Sequence, residues 1–184
     1  VMVAGTGSAQ AVRLEAEDLT ALGEGTINVS AVATDLAGNP SEASTASFDI
    51  DTTAPTVAIG MVAADDVVNA EESAGVVVSG TTTAEDGQTV SVNWGEVSQS
   101  ATVAGGTWTV TYAGTNVPAD AASTTITANV SDAAGNPAVP ATRTVDVDTT
   151  APTITTTSLS VAENTTTVGN LAANDTNSVT WSFA

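Results

Sequence analysis

The sequence has no cysteine, no histidine and no lysine, and only two arginines, Arg13 and Arg143, in 184 residues. Each absence excludes a chemistry. Thiolate or imidazole zinc sites, and cysteine or histidine nucleophiles, have no side chains to draw on. No disulfide can stiffen the fold. Two cations face 21 Asp and Glu, a formal net charge of −19, so there is no basic footprint for nucleic acid. No run of about 18 apolar residues exists, so membrane insertion is not expected. Val1 to Gln10 lacks the charged n-region and long apolar stretch of a signal peptide. Aromatic residues make up only 3%.

What is present points to strands. Threonine occupies 33 positions, and valine and alanine are abundant. β-Branched side chains are stiff at χ1 and suit a pleated surface. High net charge alone would fit disorder, but 42% of the residues are hydrophobic and they are strongly patterned.

The pattern is an internal repeat. Residues 35–40 read D-L-A-G-N-P and residues 132–137 read D-A-A-G-N-P. Residues 49–56 read D-I-D-T-T-A-P-T and residues 146–153 read D-V-D-T-T-A-P-T. Both pairs share a 97-residue offset, the size of a β-sandwich of about 100 residues. Pro55 and Pro152 suit a stiff, extended connector, because proline has a fixed φ and no N–H. The expected organisation is residues 1–51 as the C-terminal half of one repeat, 52–148 as a complete repeat, and 149–184 as the opening of a third module.

Within 52–148 the apolar residues alternate with period two: Val76/Val78, Val90/Val92/Trp94, Trp108/Val110/Tyr112, Ile126/Ala128/Val130 and Val145/Val147. Turn residues separate these runs at 85–87, 104–106 and 133–137. With a short strand at Thr56–Gly60 the named runs come to six, close to the about seven strands of an all-β sandwich in which Trp94 and Trp108 fill the core. Residues 15–22 can form one helical turn.

The carboxylates carry the candidate site. Asp49 and Asp51, like Asp146 and Asp148, lie at i and i+2, on the same face of a strand. Two unpaired charges ~5 Å apart repel by roughly 1 kcal/mol in water and about 3 kcal/mol at an effective dielectric of 20. A divalent cation is the natural partner. Further oxygens come from Asp35 and Asn39, from Asp132 and Asn136, and from the stretch 64–72, which holds Asp65, Asp66, Asn69 and Glu72. An all-oxygen, loop-borne set favours Ca2+. The competing reading of the D-x-A-G-N turns is that these residues only shape the turn. The isolated acids Glu15, Glu17, Asp18, Glu24 and Asp120 read as solvated surface.

Residues 35–55, 132–152 and 64–72 resemble the tandem immunoglobulin-like repeats of giant bacterial surface adhesins, the biofilm-associated and RTX-type proteins exported by type I secretion. The resemblance implies a cell-surface, extracellular, non-catalytic spacer stiffened by calcium at the linkers, with neighbouring repeats as its partners. It would carry calcium ligation onto Asp35, Asp51, Asp66, Asn69, Glu72, Asp132 and Asp148. Residues 161–175 and 179–183 are similar to the opening of a bacterial cadherin-like repeat, which implies Glu163 and Asp175 as ligands. That segment has no counterpart of the acidic loop 65–72, so the second junction is not a copy of the first.

Other functions have less to build on. A glycan site needs exposed aromatics, and most of the six here fall at strand-core positions. Catalysis would require a glycosidase-like carboxylate pair, yet the acids gather at linkers. Asn28, Asn129, Asn164 and Asn174 begin N-x-S/T triplets that chance explains in this composition. Half repeats at each end leave open sheet edges, which fits a window of a longer chain or a fibre in which another copy donates strands.

Overall fold

In the computed structural model the described residues are 11–156, 158–161, 163–164, 169–175 and 177–182; the readings that touch residues 1–10, 165–168, 176 and 183 lie outside them. The chain divides into two compact units, Val1–Thr53 and Ala54–Ala184.

The first unit holds helix α1 (Ala16–Leu22) and two strands, β1 (Gly25–Ala31) and β2 (Ser44–Ile50). The helix begins on a reciprocal box between Glu15 and Asp18 and ends at Gly23, φ +76°. β1 and β2 pair antiparallel from Gly25↔Ile50 to Ala31↔Ser44.

The second unit carries β3 (Val57–Ile59), β4 (Val67–Val68), β5 (Val76–Thr82), β6 (Thr89–Trp94), β7 (Val97–Thr102), β8 (Thr107–Tyr112), β9 (Ala121–Asn129), β10 (Ala141–Val147), β11 (Thr153–Ile154) and β12 (Ala173–Asn174). Two sheets form the sandwich, β4-β10-β9-β6-β7 and β3-β5-β8; β11 and β12 pair separately. The all-β fold of the sequence reading is observed. Two strands of the sandwich went unpredicted. β7 (V-S-Q-S-A-T) has an edge-strand composition, with only one face half-buried. β4 is two valines inside the acidic stretch, paired in parallel with β10 through Val67↔Asp146 and Val68↔Val147.

Turn chemistry sets the hairpins. Gly95, φ +60°, opens the two-residue β6–β7 turn. Gly105 and Gly106, φ +57° and +70°, make the β7–β8 turn with both central residues left-handed.

The core lies between the two sheets, with Val78, Val92, Trp94, Tyr112, Ile126 and Val147 fully buried. Trp94 and Tyr112 meet edge to face, centroids 5.4 Å apart at 86°. The Tyr112 hydroxyl donates to Val92 O at 2.7 Å. The Trp94 indole N–H donates to Thr124 Oγ1 at 2.9 Å, and that hydroxyl donates to Val145 O at 2.6 Å. Gly80 in β5 is required by contact: a Cβ there would overlap the Ala58 carbonyl and the Trp108 ring. Among the described residues no helix is long and apolar enough to cross a membrane.

Candidate functional site

The D-x-A-G-N-P turns come out alike in the two units. Asp35 accepts the Asn39 backbone N–H at 2.8 Å and its side-chain amide at 2.9 Å. Asp132 accepts the same groups of Asn136 at 2.7 and 2.8 Å. Gly38 and Gly135, φ +92° and +97°, supply the left-handed residue. The Asn39 side-chain bond, above all, holds the Asp35 carboxyl below the usual range. At Asp132 burial is the largest influence and acts upward, but the bonds from Asn136, Gly135 and Ala134 together outweigh it and leave the carboxyl lowered. Glu85 reaches this second turn and accepts the Ala133 N–H at 3.0 Å.

The stretch 64–72, expected as a loop, is held by local hydrogen bonds and contains the short strand β4. Asp65 accepts the Val67 N–H at 3.0 Å. Asn69 Oδ1 accepts the Glu71 and Glu72 N–H groups at 2.9 and 3.0 Å, while Glu72 accepts the Asn69 N–H at 3.1 Å. These reciprocal bonds lie directly before a short 3-10 turn, Glu72–Ala74. Asp66 has an ion-pair partner: Arg143 Nε and Nη2 donate to its two oxygens at 2.6 and 2.5 Å. That bond is the main cause holding the Asp66 carboxyl below its ordinary value. The pair links residue 66 to β10 across 77 positions, so local sequence could not show it.

The paired aspartates at the repeat ends also have donors, where the sequence reading treated them as unpaired. Asp49 accepts the Thr26 hydroxyl at 2.6 Å, and Asp51 accepts the Thr53 N–H at 3.0 Å. Asp146 accepts the Ser123 N–H at 2.8 Å, beside a register shift between Val145 and Val147. Asp148 accepts the Asn177 side-chain amide at 2.9 Å and the Thr150 N–H at 3.3 Å. In the last segment Glu163 is exposed in a turn and Asp175 is half-buried.

Glu24 and Asp120, read from sequence as solvated surface acids, are engaged. Glu24 accepts the Thr52 N–H at 3.0 Å and the Thr52 hydroxyl. Asp120 accepts the Thr149 N–H at 3.0 Å, the Thr149 hydroxyl at 2.6 Å and the Thr150 hydroxyl at 2.5 Å. The Thr149 side chain, then that of Thr150, chiefly lower the Asp120 carboxyl.

The donor set is all oxygen, as Ca2+ prefers. Among the described residues, however, no three carboxylates gather into one cluster. The fit to calcium is therefore one of donor type. Hydrogen bonds from the protein's own amides, hydroxyls and guanidinium hold most of the candidate oxygens.

Two sheets packed around one core within about 100 residues place the second unit among the immunoglobulin-like sandwiches. A family model, Bacterial Ig-like domain (group 3), matches residues 15–104, a stretch that starts in the first unit and ends after β7. A bacterial immunoglobulin-like domain from the M. primoryensis ice-binding adhesin is 37% identical; the match covers 50% of this chain and 96% of that domain, TM-score 0.42. The chain belongs to the bacterial immunoglobulin-like domain family. It is also similar to a 1.5-MDa bacterial ice-binding adhesin studied for host cell surface retention, at 36% identity over 68% of this chain and 43% of that one, TM-score 0.45. A Ca2+-stabilised adhesin with which an Antarctic bacterium reaches out and binds ice is 35% identical over 76% of this chain and 35% of that one, TM-score 0.47. The chain thus spans less than half the length of these two relatives. No curated protein matches it.

Proposed function

We propose that the chain is a structural, non-catalytic segment of a large bacterial surface adhesin, with repeats stiffened by calcium. The observation that carries this reading is the 97-residue recurrence of D-x-A-G-N-P and D-T-T-A-P-T. Two supports join it: sequence identity of 35–37% to adhesin segments, one of them described as Ca2+-stabilised, and an oxygen-only donor set. In this reading Ca2+ draws its ligands from the carboxylates at the repeat ends, Asp51 and Asp148 among them. It offsets repulsion in a chain of net charge −19. Extracellular modules bind Ca2+ with dissociation constants of about 10⁻⁴ to 10⁻³ M, so millimolar calcium outside a cell fills such sites and the cytosol leaves them empty. The partners are neighbouring repeats, and the location is the bacterial cell surface.

The test is a melting curve of the full chain with a chelator and with millimolar calcium. Binding to the folded state raises the midpoint by mass action. Superimposable curves overturn the calcium reading, and small-angle scattering on the same samples reads whether the molecule lengthens.

A further inference from the structure

We infer that Glu24 and Asp120 are latches that fasten the first threonines of each D-T-T-A-P connector to the start of the strand paired with the one just before it, so that each connector begins later than its sequence suggests. The argument starts from register. Gly25 pairs with Ile50, and Ala121 pairs with Val147. Antiparallel pairing then places Glu24 opposite Asp51 and Asp120 opposite Asp148, with Thr52 and Thr149 one step beyond. Like charges directly opposite each other are unfavourable. In both units a threonine answers with two donors, its N–H and its hydroxyl, both directed at the acid. Thr150 adds a third donor at the second site.

The arrangement recurs although its parts differ. One acid is Glu and the other Asp, and they stand 96 positions apart while the threonines stand 97 apart. Ser, Ala or Val at the threonine position would lose the β-branched stiffness, the hydroxyl, or both, which gives a physical reason for threonine there. Charge-assisted bonds of this kind are stronger than neutral ones.

The experiment is amide hydrogen exchange by NMR on the full chain in chelator, so that its outcome is separate from any effect of calcium. The Thr52 and Thr149 amides are expected to be protected. Asp120→Ala should speed Thr149 exchange by about tenfold and leave Thr52 and the central β9 amides unchanged. Glu24→Ala should do the converse. Asp120→Glu should retain protection, since Glu serves in the first unit. Should Asp120→Ala fail to fold, Thr149→Val, which keeps the N–H and loses the hydroxyl, should weaken protection while Thr149→Ser preserves it. Unprotected threonine amides in the parent chain, or protection that survives both Asp120→Ala and Thr149→Val, overturn the inference.

Discussion

The two units carry the same turn in different surroundings. Asp35 and Asp132 make matching bonds to Asn39 and Asn136, yet Asp35 is exposed and Asp132 is buried. The apolar positions show the same difference in burial. Val29 is 45% exposed where its repeat counterpart Ile126 is 0%, and Phe48 is 37% exposed where Val145 is 0%. The turn is therefore local chemistry that needs no sandwich around it. Burial of the strand face is supplied by the second sheet, β3-β5-β8, which packs over β9 and β10. The ion pair differs as well: Arg143 ties β10 to Asp66, while the position 97 residues earlier is Ala46.

The largest test of this contrast is Gly80→Ala. Its methyl group has no room beside Trp108 and the Ala58 carbonyl, so the sandwich should lose about 3 kcal/mol or more. Trp94 and Trp108 fluorescence should report a large fall in its midpoint, and NMR shifts of β1 and β2 should not move. Next comes a matched pair. Ile126→Ala should cost about 2–5 kcal/mol and Val29→Ala no more than about 0.5 kcal/mol, read by denaturant unfolding; equal costs would break the comparison.

pH offers a third test. The carboxyls of Asp35, Asp66, Asp120 and Asp132 lie below the ordinary aspartate value of 3.8 in the folded chain. Their contribution is present above that value and is lost as pH falls through the folded pKa, so acid should weaken both units. Burial pushes the Tyr112 hydroxyl from 10.0 up to about 12. Its contribution is present below pH 10 and lost as pH rises toward 12, so alkaline loss should begin in the second unit alone. Near-UV absorbance titration of tyrosine, the single one in the chain, checks this. The smallest effect expected is the difference between Asp132→Ala and Asp35→Ala. Both open the turn, but only the former also leaves part-buried donors of Asn136 unsatisfied, so its midpoint should fall further.

Much of the fold was legible because period-two alternation and Gly-Asn turns are written within a few residues. The Trp94, Trp108 and Ile126 core positions follow from that pattern alone. β7 was hidden by its polar edge composition, and β4 by its two-residue length. The candidate site was only half legible. Spacing identified the acids, but their partners depend on pairing distant in sequence, as with Asp66 and Arg143. The latches escaped for a further reason: Glu24 and Asp120 differ in type and in offset from the main repeat, so only strand register brings them to Thr52 and Thr149.

The parallel pairing of β4 with β10 has a mechanical consequence. Asp146 N–H donates to Asp66 O and Asp148 N–H to Val68 O, each at 2.9 Å, beside the Arg143–Asp66 contact. Tension drawn between the two ends of the sandwich pulls these neighbours past one another along their length. The bonds then resist in shear, together, rather than peeling one at a time. Optical-tweezer extension of the Asp66→Asn variant should show a lower rupture force than the parent, which would make this short patch the sandwich's mechanical clamp.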